Sequence, residues 1–173
     1  RLAGEVMPQD MALEVIDWRQ VPPFDADALA QRGFPEAVRV VRERIRRADG
    51  LVLATPEYNF SVPGMLKNLL DWMSRGVLPG DAQPLAGKPV ALLSAASGPL
   101  GGARVQYELR RVLLFVDAWV LVKPEVFIGQ AQTKFEADGT CTDDATRGFL
   151  RAQMIAFHRW TEQARTMAQH GKG

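Results

Sequence analysis

Two short, uninterrupted apolar runs, residues 51–54 and 90–93, each break into a loop of small, Gly, Pro or Ser residues and then into a run with helical spacing. Continuous apolar runs of this length belong to strands covered on both faces, which is the condition of a parallel sheet flanked by helices. Met65, Leu66, Leu69, Leu70 and Met73 follow the first run at helical spacing, and Val105, Leu109, Val112, Leu113 and Val116 follow the second. Residues 12–17 have strand character, and residues 119–122 and 126–128 read as strand pieces around Pro124. Val38, Val41, Ile45 and Ala48 share a face of a helix over 36–48, announced by Phe34-Pro35. Leu150, Met154, Phe157, Thr161 and Ala164 line one side of a long C-terminal helix starting near Thr142 or Asp143. Strand and helix alternate four times. That order predicts an α/β fold with a parallel sheet, helices on both faces and right-handed crossovers.

Composition sets the bounds. A chain of 173 residues, 47% of them apolar, suffices for a substantial core, and one domain over residues 1–173 is expected. A net charge of +1 gives no footprint for a nucleic-acid or membrane partner. No apolar run approaches the roughly 20 residues that span a bilayer. The lone Cys141 can form no intrachain disulfide, which points to a reducing cytoplasm. The opening residues 1–6 read as the end of a helix.

Ligands of parallel sheets bind beyond the carboxyl ends of the strands, where loops 55–63 and 94–102 lie. Tyr58 and Asn59 are costly choices for a plain turn, and Pro56 and Pro63 stiffen theirs, although Pro, Asn and Gly also make ordinary turns. Residues 94–102 carry no bulky polar side chain, so a ligand can approach the backbone, or the segment can simply be a tight connection. Taken as a pair, the loops read as two walls of a slot for a flat, heteroatom-rich ligand. The connection over 79–84 is polar and Gly/Pro-containing.

Conventional catalytic groups are sparse. His158 and His170, the only histidines, fall on the C-terminal helix, away from the loops, and Cys141 carries no evident chemistry. No His, Cys and carboxylate set has metal-ligand spacing. Arg39, Arg42, Arg44, Arg46 and Arg47 are read as a solvated helix face, Lys67, Asn68 and Asp71 as the side opposite the apolar stripe, and Trp72 as leaning toward an interface. A site without acid–base pair, metal or nucleophile implies that a bound redox cofactor does the chemistry.

Pro56-Glu57-Tyr58-Asn59, then Ser61, Pro63-Gly64, Leu66-Lys67-Asn68 and Asp71-Trp72-Met73-Ser74-Arg75, closely resemble the signature of the NAD(P)H-dependent FMN reductase family. Residues 84–90, Gly101-Gly102-Ala103-Arg104, Gln106-Tyr107, Leu109-Arg110 and Lys123-Pro124-Glu125 extend the likeness toward its quinone and chromate reductase branch, from about Ala12 onward. The resemblance implies a flavodoxin-like three-layer sandwich, non-covalent FMN and a homodimer or homotetramer. It implies that Pro56, Glu57, Tyr58 and Asn59 hold the isoalloxazine ring through backbone amides and the Asn59 side chain. Ser94, Ala95, Ser97, Gly98 and Gly101 would line its other polar edge, with Phe60 shaping the slot. Arg104, Tyr107 and Glu125 would form a pocket-rim or inter-subunit network.

The family's opening strand and its Gly-Ser-x-Arg-x-x-Ser phosphate loop have no match in these residues, so the first strand and phosphate loop are expected to be missing from this chain. The implied activity is a ping-pong transfer of hydride from NAD(P)H through FMN to quinones, chromate, azo compounds or flavins. A non-catalytic electron carrier or flavin-binding module is the alternative, which the slightly basic charge disfavours.

Overall fold

The two apolar runs are neighbouring strands. The structure, a computed structural model, describes residues 1–76 and 81–170, with only the backbone of His170. Leu51–Thr55 forms β1 and Pro89–Ala95 forms β2, paired in parallel with Thr55 opposite Ser94. Because β1 occupies one edge of β2, the other edge is shared by two short parallel strands in succession. These are β3, Trp119–Val120, on its early residues and β4, Val126–Ile128, on its last. β2 is therefore central, and only Ala95 of its residues is exposed.

Helices cover both faces. α1 (Leu2–Val6) and α6 (Asp144–His170) lie on one, where Leu2, Val6, Leu150, Met154 and Phe157 pack with Ala91, Leu93 and Val126. α3 (Glu36–Arg47), α4 (Gly64–Met73) and α5 (Ala103–Phe115) lie on the other, packing Val38, Val41, Leu69, Met73 and Leu109 with Val90 and Leu92. Successive β2 residues thus feed opposite cores, as the two-residue period of a strand requires. α2 (Ala26–Arg32) precedes α3. The expected three-layer sandwich is present. All five positions of the C-terminal stripe are buried, and Asp143 Oδ2 caps α6 by accepting from the Thr146 amide at 2.7 Å.

Several expectations are overturned. Residues 12–17 form no strand and pair with no strand of the described sheet, although β1 is an edge strand; Leu13 and Val15 stay exposed while Ile16 packs on the core. The alternation accordingly begins at β1, after three helices, and Leu51, Val52 and Leu53 are only half-buried. Trp72 is 1% exposed rather than interfacial: its Nε1 donates to Pro22 O at 2.8 Å and its ring meets Phe24 edge-on at 4.9 Å. Asn68 accepts from the Phe24 amide at 2.7 Å and donates to Pro22 O at 2.9 Å, so the polar side of α4 fastens residues 22–24.

Arg42 is buried, against the reading of a solvated face. It donates to Trp72 O near the end of α4 at 3.3 Å and to Arg75 O just beyond it at 2.7 Å, and it pairs with Asp81. Arg39, Arg44 and Arg47 do remain at the surface, paired with Glu36, Glu14 and Glu43. His158 meets Asp10 at 3.1 Å, and Cys141 is buried. Pro79 and Gly80 of the expected connection, and the His170 side chain, lie outside the described residues. No helix among the described residues is long and apolar enough to cross a membrane.

Trp72→Ala should lower the unfolding free energy by about 3–5 kcal/mol in urea denaturation, through cavity and lost hydrogen bond. Val15→Ala, at a side chain 78% exposed, should change it by no more than about 0.5 kcal/mol.

Candidate active site at the strand ends

Parallel pairing in this register makes the two loops leave the sheet side by side. In the first, residues 58–61 close a tight turn: the Tyr58 amide donates to Ser61 O at 3.2 Å and the Ser61 amide to Tyr58 O at 2.9 Å. Its two central residues, Asn59 (φ 50°) and Phe60 (φ 64°), adopt left-handed backbone. Asn tolerates that region, whereas Phe there costs on the order of 1–3 kcal/mol. The amides of Glu57, Asn59 and Phe60 donate to no acceptor among the described residues. Pro56, Tyr58, Asn59 and Phe60 are exposed, Phe60 to 68%.

The second loop divides into an exposed and a structural part. Ala95, Ser97 and Gly98 are exposed, and the Ser97 and Gly98 amides donate to no described acceptor. Ser94 and Gly101, expected beside a ligand, are buried instead. Ser94 Oγ donates to Gly101 O and accepts from Gln106 Nε2, both at 2.7 Å, so its hydroxyl is consumed inside the loop. Gly101 (φ 58°) has no room for a side chain, since a Cβ would sit 2.7 Å from the Ile128 and Gly129 nitrogens. At Gly129 a Cβ would lie 2.4 Å from Pro99 O. These glycines serve backbone packing of the loop on the end of β4, which the Ala96 amide reinforces by donating to Ile128 O at 2.9 Å.

Glu57 ties the first loop to the start of α5, the helix that follows the second. Its side chain is 7% exposed; the carboxylate accepts from Arg104 Nε at 2.7 Å, pairs with Nη2 at 2.5 Å and accepts from the Val105 amide at 3.2 Å. Burial alone raises the Glu57 carboxyl, but the Arg104 and Val105 hydrogen bonds and the Arg104 charge outweigh it and hold the group below its ordinary value. Arg104 also stands over the Phe60 ring, its Cζ 3.8 Å from the centroid. Sequence reading missed this link because Glu57 and Arg104 are far apart in the chain and no spacing rule connects them.

The expected network of Arg104, Tyr107 and Glu125 does not form within the chain. Tyr107 is exposed near Phe127, ring centroids 6.2 Å apart, and Glu125 pairs with Arg110 at 3.4 Å and Lys123 at 2.6 Å. Arg104 is drawn away by the shielded carboxylate of Glu57. A separate hollow of about 580 Å³, lined by Trp160, Thr166 and Met167, lies toward the opposite end of the sheet, where Trp160 Nε1 donates to Trp119 O at the start of β3. Among the described residues no group of three or more His, Cys, Asp or Glu could hold a metal ion.

The strand-end surface thus combines exposed aromatic rings with two short rows of unengaged amides, which suits a flat ring edged with carbonyl oxygens. The sequence model of the family described as NADPH-dependent FMN reductase matches residues 1–133. The chain belongs to that family. It is 45% identical over 160 residues to an NAD(P)H-dependent FMN reductase of Pseudomonas aeruginosa, covering 92% of this chain and 84% of that protein. It is 42% identical over 167 residues to a quinone reductase of Escherichia coli, covering 95% and 87%. The flavoenzyme NAD(P)H:(acceptor) oxidoreductase FerB from Paracoccus denitrificans superposes with a TM-score of 0.82 at 32% identity, over 94% of this chain and 87% of that one. Within this family frame the described loops fit the ring of FMN.

Two outcomes follow from this geometry. Gly129→Ala should lower the thermal unfolding midpoint well below that of Gly98→Ala, whose added Cβ meets nothing within 4 Å. Because the Glu57 carboxyl is depressed in the folded protein, its contribution is full above the ordinary carboxylate range and is lost as pH falls through the lowered value. The stability gap between wild type and Glu57→Gln, read from urea midpoints, should therefore be widest near neutral pH and shrink below about pH 4.

Proposed function

We propose that residues 1–173 act as one FMN-dependent NAD(P)H oxidoreductase domain that reduces small, flat acceptors, quinones foremost. The carrying observation is the pair of adjacent strand-end loops with unengaged amides and exposed aromatic rings, in a chain of the FMN reductase family. The quinone reductases of Escherichia coli and, at 34% identity, the 2-hydroxy-1,4-benzoquinone reductase of a Burkholderia species support the choice of acceptor.

Bound FMN supplies the two-electron relay between NAD(P)H and acceptor. The protein's share is position and electrostatics. Amides of Glu57, Asn59 and Phe60, with the Asn59 side chain, hold one edge of the ring, and those of Ser97 and Gly98 beside Ala95 hold the other. Such donors, fixed before the ligand arrives, stabilise negative charge on it without reorganising. Tyr58 and Phe60 screen the open side of the slot and offer stacking faces to nicotinamide and acceptor in turn. Ser94 and Gly101 support the second loop from within.

A homodimer or homotetramer completes the reading, with the apolar stripe of Tyr107, Leu114 and Phe115 on the outer side of α5 covered by a second copy. A cytoplasmic location accords with the single, buried cysteine.

The test is NAD(P)H consumption by the purified protein with FMN and a benzoquinone. Turnover well above that of free FMN is expected, falling at least about tenfold in FMN affinity or rate when Tyr58→Ala and Asn59→Ala are combined, a loss of about 1.4 kcal/mol. Tight flavin binding without turnover would favour an electron carrier, and an unchanged double variant would remove the first loop from the site.

A further inference from the structure

We propose that Arg104 is a positioning residue that clamps the 57–60 turn to the first turn of α5 and thereby presets the amides that meet the ring. The inference rests on the flavin reading for its consequence, while the clamp itself is a property of the protein alone.

One planar guanidinium serves both ends of the turn. Its Nε and Nη2 hold Glu57, the residue entering the turn, and its Cζ stands 3.8 Å over the ring of Phe60, the last left-handed residue. Glu57 is tied a second time, by the Val105 amide at 3.2 Å. Between these anchors the turn is closed, among the described residues, by the two Tyr58–Ser61 backbone bonds. Among the described residues the Asn59 side chain makes no hydrogen bond that would hold the turn from its solvent side. Release of Arg104 frees Phe60 to relax toward ordinary backbone, and the unengaged Asn59 and Phe60 amides turn with it. Lysine can pair with Glu57 but cannot lay a plane on Phe60, so it replaces half of the clamp.

Amide exchange at Tyr58 and Ser61, followed by NMR on flavin-free protein, tests the clamp directly. Arg104→Ala should speed exchange at these two amides by about tenfold, the loss expected from one charge-assisted contact, while β2 and α6 amides keep their protection. Arg104→Lys should give an intermediate rate. The FMN dissociation constant should rise in the same order, and Glu57→Gln added to Arg104→Ala should worsen it no further. Unchanged exchange at Tyr58 and Ser61 in Arg104→Ala, or additive effects of the two substitutions, overturns the clamp. Should Arg104→Ala lose its fold, Arg104→Lys and Glu57→Gln carry the same comparison. Wild-type protein that binds no FMN contradicts the flavin reading alone, since the exchange arm uses no flavin.

Discussion

The parallel register that sets Thr55 against Ser94 is the constraint on which the rest of the molecule depends. Parallel strands cannot be joined by a tight turn, so each must cross over through a helix and deliver its exit loop to the same end of the sheet. That is why loops separated by a whole helix in sequence stand side by side. Glu57 then converts adjacency into attachment, because a shielded carboxylate fixed by a guanidinium and a helix-terminal amide leaves the first loop little freedom relative to the start of α5.

The sheet is built unequally around β2, and side chains make good what strands do not. Between β3 and β4 the edge is interrupted, and Gln153 from α6 reaches in to donate to Leu92 O at 3.2 Å and Pro124 O at 2.9 Å. From the opposite layer Gln106 donates to Val126 O at 2.8 Å and to Ser94 Oγ, connecting the broken edge to the loop above it. Buried amides of this kind satisfy backbone carbonyls that would otherwise lose their partners to burial. The same logic explains Arg42, which serves the carbonyl end of α4 while α4's other end carries the first loop.

What could be read in the sequence was periodic or local. The C-terminal stripe from Leu150 to Ala164, the central strand and the juxtaposed loops follow from repeat spacing and from the rules of parallel crossovers. What escaped was set by partners distant in sequence. Residues 12–17 have a strand's composition but pair with no strand of the described sheet. Trp72 and Asn68 look like an outer face until residues 22–24 fold over them, and Arg42 looks solvated until the end of α4 arrives. Ser94 carries a hydroxyl suited to a ligand, yet its nearest needs are Gly101 O and Gln106. Arg104 was singled out, but its partner was not, since nothing local distinguishes Glu57 from Glu125 as the acid it meets.

The central claim is that both loops grip one flat ligand. Backbone amide shifts of the protein titrated with FMN address it most directly. The account predicts that the largest shifts fall together on residues 57–60 and 95–98, with a common saturation curve. Shifts gathered around Trp160 and Met167 with residues 57–60 unmoved would contradict it.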